Sequence, residues 1–296
     1  MITRQKPTKK TGDRRARLVL SILCACFITF LSLAHSDSAF EAPASSAKTI
    51  LLLFPYQADL PHHINAMQAI RDEFNTAGDI DLKLYVEYLD LNRFADAAYQ
   101  TQLFNLLVTK YRDSPIDLVI TANAMTLTLW LDRRADILPT APVVFFDISP
   151  SRLATLQLPA NVTGVTGALD YTQSVEWALG ALPDLDEVVI IHGVSPADLE
   201  EVAAIETMQE GMRGRVRFTD LSTLPLPEIK ARVASLPKTS LVLYHLMLQD
   251  AAGSSFRPID ALRELAAVSP VPILGGYEQF VGAGVLGGNL LEIGEQ

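Results

Sequence analysis

The chain has 296 residues, 49% of them hydrophobic, and a net charge of −10, which is enough apolar material for one large core or two smaller ones. The charge is uneven: residues 1–40 hold seven Lys/Arg against Asp13 and Asp37, leaving 17 basic and 32 acidic residues, net −15, in the remainder. So acidic a body, with no basic stripe, excludes nucleic acid and anionic membrane surfaces as partners.

The N-terminus differs from the rest. Residues 1–17 read as a basic segment on the cytoplasmic side, followed at Leu18–Ala34 by LVLSILCACFITFLSLA, seventeen residues without a charge. Basic run then apolar run is the pattern of a secretory signal or a short membrane anchor, assigned here to 18–36. Uncleaved, residues 18–34 would hold the chain in the inner membrane with its body on the periplasmic side. LCAC (23–26) half-matches a lipobox, but the apolar residues after Cys26 argue against lipidation. Both cysteines, Cys24 and Cys26, fall in this segment, so the exported part has neither a disulfide nor a thiolate site. Residues 37–48 are small, polar and Pro-containing, and read as a linker.

From there, short apolar runs alternate with helical patterns. TILLLFPY (49–56) predicts a strand buried on both faces. Ile64, Met67, Ile70 and Phe74 mark one face of a helix. LKLYVEYLD (82–90) is the next strand, Leu103, Leu107 and Tyr111 the next helix, and DLVITAN (117–123) a third strand. A helix from Ala124 to about Arg134 leads to PVVFFDI (142–148). The rhythm restarts with EVVIIHG (187–193), a helix over 196–212, RVRFTDLS (215–222), a helix over 227–236, SLVLYHLM (240–247) and a helix over 257–268. PVPILGGY (270–277) and VLGGNLL (285–291) read as final strands, and NVTGVTGALD (161–170) as a crossing segment.

Strand–helix alternation implies βαβ units and parallel sheets. The predicted fold is α/β: two Rossmann-like lobes joined by crossing segments, periplasmic-binding-protein-like, type I. Lobe 1 is expected to hold 49–150 and 270–296, and lobe 2 to hold 160–269. In such sheets ligands sit beyond the carboxyl ends of the strands. That rule selects Tyr56, Gln57, Thr121, Asn123 and Asp147 in the first half, and His192, Ser195 and His245 in the second. Asp170 and Tyr277 join them at the junctions. The helix starts after Asn123 and Ser195 are expected to face each other, their free N–H groups suiting an anionic group. Asp147 and Asp170 suit a cation or ammonium.

Other candidates are set aside. His62 and His63 follow Pro61 at a helix start; adjacent residues diverge on a helix, and no further ligand stands at metal spacing. They are expected to be a solvated helix start. Gly282-Ala-Gly284-Val-Leu-Gly287 spells G-x-G-x-x-G without the strand, helix and distant acid that a nucleotide site needs. No G-x-S-x-G, phosphate-binding loop, H-E-x-x-H or paired-cysteine motif occurs. No catalytic residue, cofactor or metal is therefore expected.

The ordered set ILLLFPY, PIDLVITAN, LPTAPVVFFDI, LPKTSLVLYHLMLQDAAG and PVPILGGYEQFVGAGVLGGNLLEIGEQ resembles the ABC-transporter substrate-binding-protein-like family. The likeness covers roughly 48–296 and looks closest to the extracytoplasmic input domain of bacterial sensor histidine kinases. It implies a non-catalytic two-lobed binding domain for a small polar organic ligand, with amino-acid-like solutes among the choices. It also implies a partner: a kinase output module or, in the alternative, the permease of an ABC importer. A Rossmann-like enzyme is the disfavoured third reading. The last strands would need a covering helix, so the natural reading frame is expected to run on past Gln296.

Overall fold

β1 (Lys48–Phe54) sets the pattern for the first half of the molecule: all but its first residue are buried. Leu51 and Leu53 enter one apolar cluster and Ile50, Leu52 and Phe54 the other, as the two-residue period of a strand covered on both faces requires. The computed structural model describes residues 47–76, 81–199 and 202–291. The apolar segment 18–34, the basic N-terminus and most of the linker lie outside them. Among the described residues no helix is long and apolar enough to cross a membrane.

The first sheet has the order β2-β1-β3-β4-β5, all parallel, with β2 at Leu82–Tyr88, β3 at Leu118–Ala122, β4 at Val143–Ile148 and β5 at Val162–Thr166. Its helices are α1 (Pro61–Thr76), α2 (Ala97–Tyr111), α3 (Asn123–Arg133) and the short α4 (Pro150–Leu153). Asp96 caps α2 by accepting the Tyr99 amide, and Ser149 caps α4 ahead of Pro150.

The second sheet has the order β7-β6-β8-β9, again parallel: β6 (Glu187–Ile191), β7 (Arg217–Asp220), β8 (Ser240–Tyr244) and β9 (Ile273–Gly275). α5 (Tyr171–Ala181), α6 (Pro196–Leu199), α7 (Val202–Gly211), α8 (Leu226–Ala234) and α9 (Pro258–Ala266) cover it. Val189, Ile191, Val242 and Tyr244 face one cluster, and Val188, Ile190, Leu241 and Leu243 the other. Both sheets thus reverse strand order beside their first strand, at β1/β3 and at β6/β8. That is the switch point where doubly wound sheets open a crevice.

Three expectations need correction. Residues 270–291 do not return to the first lobe: β9 pairs with β8, the neighbour that a short βαβ crossover through α9 reaches. Of the segment 161–170, residues 162–166 are β5, the edge of the first sheet, paired with β4, and only the residues after it lead across to α5 of the second half. Finally, 285–291 makes only isolated bridges, Val285 to Val281, Gly287 to Leu274 and Leu291 to Tyr277, rather than a strand. α5 was not foreseen; Asp170 caps it by accepting the Thr172 and Gln173 amides.

Candidate functional site

A cavity of about 70 Å³ lies where the carboxyl ends of the two sheets meet. From the first sheet it is lined by Tyr56 after β1, His62 and His63 in the first turn of α1, Asn123 after β3, and Asp147 in β4. The second half contributes Ala197 of α6, Leu246 and Leu248 after β8, Pro258 and Ile259 at the start of α9, and Tyr277 and Gln279 after β9. Space of this size admits several waters or a compact ligand.

Two non-glycine residues in the lining have left-handed backbone, Asn123 (φ 59°) and Asp147 (φ 60°). Asn and Asp tolerate that region better than other side chains. Such conformations gather at ligand sites, where the surrounding structure holds them in place. Here Asn123 is fixed twice: its side-chain oxygen accepts the Thr126 amide at 3.1 Å and its amide nitrogen donates to the Tyr56 hydroxyl at 3.1 Å. Asp147 sits at the register shift between β4 and β5 and meets His62 Nε2 at 2.9 Å through Oδ2.

The two histidines are neither solvated nor equivalent. His63 is 2% exposed, 4.6 Å from the Phe54 ring and 5.8 Å from Tyr56 between ring centroids. Its Nδ1 lies 2.9 Å from the Gln57 carbonyl, so Nδ1–H donates there. Burial and the neighbouring His62 push its imidazole down to about 3, and it is neutral at physiological pH. For His62 burial also disfavours charge. The Asp147 carboxylate, its hydrogen bond and Glu278 outweigh burial, and the imidazole is raised above the ordinary 6.5.

Contacts cross between the lobes around this cavity. Asn65 donates to Glu278 at 2.9 Å, His62 meets the Tyr277 ring edge-on at 6.2 Å, and Arg257 stands 4.0 Å from Asp59. Tyr56 and Leu60 pack with Ala197 and Leu248 in one apolar cluster.

Of the ten residues selected from sequence, the structure brings Tyr56, Asn123, Asp147 and Tyr277 to the cavity. The other six lie outside its lining. Gln57 supplies its carbonyl to His63, Thr121 is buried within β3, and Asp170 caps α5. Ser195 exchanges hydrogen bonds with Asp198. His192 lies within 2.6 Å of the Gly193 carbonyl through Nδ1. His245, fully buried, meets the Tyr171 hydroxyl at 2.6 Å, and its ring lies tilted 5.8 Å from that of Tyr277. His62 and His63, set aside from sequence, are in it. A signal existed: only six residues separate β1 from α1, so the first turn of that helix is itself at the carboxyl edge. Adjacent side chains diverge, as expected, but both find cavity partners.

Among the described residues no group of three or more His, Cys, Asp or Glu is placed to hold a metal ion.

No protein-family model and no curated protein matches the chain. Solved structures do. The ABC domain in complex with L-Trp from Streptococcus pneumonia aligns with a TM-score of 0.56 at 17% identity, over 81% of this chain and 78% of that one. The ligand-free, open structure of a substrate-binding protein with adhesive properties from Clostridium difficile aligns at 0.55 and 10% identity, over 84% and 81%. A XylFII–LytSN complex aligns at 0.51 and 12% identity, over 84% and 89%. Likeness at this distance speaks to architecture, and with the two parallel sheets it establishes one: by fold, the chain is a two-lobed α/β protein of the periplasmic-binding-protein-like kind.

Proposed function

We propose that this chain binds a small polar organic molecule between its two lobes on the outer side of the bacterial inner membrane, without turning it over. The observation that carries the reading is the interlobe cavity, at the carboxyl ends of both sheets, with aromatic and polar groups converging and left-handed backbone at Asn123 and Asp147. The shared fold supports it, one neighbour carrying L-Trp and another being a substrate-binding protein. Ligand held by both lobes stabilises their closed arrangement by its differential affinity, and that shift is the output. The apolar segment 18–34 would anchor or export the domain.

The output we favour is signalling through a membrane histidine kinase, on the sequence resemblance and on the likeness to a XylFII–LytSN complex. Delivery to an ABC permease is the second reading, favoured by the substrate-binding neighbour.

A metabolite screen by thermal shift should find a stabiliser, since a ligand at a hundred times its dissociation constant adds about 2.7 kcal/mol. Consumption of that ligand by the purified chain would overturn the reading. The histidines give a second test. His62→Asn replaces the lining side chain that pairs with Asp147 and should change affinity roughly tenfold or more, because hydrogen bonds to charged groups contribute about 1.5–3 kcal/mol. His192→Asn, outside the lining, should leave affinity within about twofold. If titration calorimetry ranks the two variants the other way, the cavity is not the ligand site.

A further inference from the structure

The charges around the interlobe cavity favour one sign of ligand. Among the described residues no lysine or arginine lines it. Asp147 does, and Glu278, between the lining Tyr277 and Gln279, acts on His62 from the second lobe while accepting from Asn65 of the first. Even with His62 protonated, the set of His62, Asp147 and Glu278 keeps one negative charge in excess. Tyr56 and Tyr277 add ring faces, which attract cations placed within about 6 Å. An anionic ligand would meet a repulsive field here, and a cationic one an attractive field.

On the reading that this cavity is the ligand site, we infer that its ligand carries an ammonium group, primary or quaternary, which displaces the His62 imidazolium from the Asp147 carboxylate, so that binding releases a proton. His62 Nε2 and Asp147 Oδ2 are 2.9 Å apart, so an arriving cation must share or take that partner. Two cations on one carboxylate in a buried site repel strongly. The imidazolium N–H bond therefore breaks, its proton passes to the buffer, and the ammonium replaces it as the ion-pair partner.

The groups that face His62 fix the sign. Asp147 of β4 and Glu278 of the second lobe favour its protonated form in the free protein. His63, beside it on α1, is neutral down to about 3, and the Tyr277 ring edge carries no charge at these pH values. Affinity for an ammonium ligand then rises by up to about tenfold per pH unit below the raised His62 value, and levels off above it. A carboxylate ligand, which needs the imidazolium, would show the opposite slope.

The test uses the full chain in mild detergent, titrated by calorimetry with tryptamine, tyramine, putrescine and choline against indole-3-acetate, 4-hydroxyphenylacetate and succinate. All the amines stay charged between pH 5.5 and 6.5, so a pH slope in that interval comes from the protein. At least one amine should bind about tenfold more tightly at pH 6.5 than at 5.5, with proton release measured in two buffers of different ionisation heat. Asp147→Asn, which keeps a residue suited to positive φ, should abolish both the binding and the proton release. Amine binding that is flat with pH, or survives in Asp147→Asn, overturns the inference. So does binding by the carboxylates alone, an outcome that leaves the cavity standing as the ligand site. Silence from every amine also overturns it, and the metabolite screen then judges the cavity independently.

Discussion

Acidification from pH 6.5 to 5 will cost this protein several kcal/mol of folding stability, before most carboxylates titrate. His63 and His245 are 2% and 0% exposed, and both imidazoles are held down at about 3, chiefly by burial, with a neighbouring histidine adding to it. In the unfolded chain each takes up a proton near 6.5; in the native state neither does until about 3. The unfolded state thus binds up to two more protons in this window, and stability rises with pH wherever it does. The slope is about 1.4 kcal/mol per pH unit for each histidine, roughly 3 for the pair once both are titrating in the unfolded chain. Against a total of about 5–15 kcal/mol for a typical domain, that is a large loss. His62 has the opposite sign: its raised pKa gives stability that is complete below 6.5 and is lost as pH rises through the folded value, so it adds no slope below 6.5. Urea unfolding at half-unit steps from pH 7 to 5 measures the sum. His245→Gln should remove about half the slope, whatever it does to absolute stability. Stability that stays flat between pH 6.5 and 5 would show that these rings are protonated in the native state.

The same residues show how much of the fold could be read from sequence. β1, β3, β6 and β8 were legible because strands buried on both faces are written as unbroken apolar runs. β5 was not: VTGVT is small, and mostly unburied at the sheet edge, so it carries little apolar signal. Its Gly164 is required by packing, since a Cβ there would lie 2.1 Å from the Phe145 carbonyl oxygen. The partner of β9 depends on which neighbour a crossover reaches, and a three-residue strand carries no trace of that. At the site, the strand-end rule found Tyr56, Asn123 and Asp147 because backbone direction alone places them, and Tyr277 was added at a junction. That rule could not separate cavity residues from buried, hydrogen-bonded residues outside the lining, such as His192 and His245. It missed His62 because the pairing with Asp147 spans 85 residues of sequence.

Asp198→Ala should destabilise the protein by roughly 3–5 kcal/mol, the range for breaking a buried charged network by removing one member. The Asp198 side chain is fully buried and accepts from the Ser195 amide at 3.0 Å, the Ser195 hydroxyl at 2.7 Å, the Leu248 amide at 2.8 Å and the Gln249 amide at 3.2 Å. Ser195 in turn accepts the Asp198 amide at 3.2 Å, a reciprocal cap at the start of α6. One carboxylate thereby ties the α6 start to the segment after β8, and both carry cavity residues, Ala197 and Leu248. The site even dictates its neighbour: a Cβ on Gly193 would lie 2.1 Å from Asp198 Oδ2. Burial pushes this carboxyl up, while four donors, three on Oδ2 and one on Oδ1, favour the carboxylate, and the ionised form is the one expected. That assignment separates two variants. Asp198→Asn has the same shape but turns an NH₂ group toward the N–H donors, so it should cost nearly as much as alanine. A protonated native Asp198 would instead be mimicked by asparagine and lose little. Urea unfolding at pH 7 distinguishes them, and an asparagine variant within about 1 kcal/mol of the parent would overturn the ionised assignment. Since the alanine variant loosens the positions of Ala197 and Leu248 without touching the cavity lining directly, ligand affinity should fall along with stability in both variants.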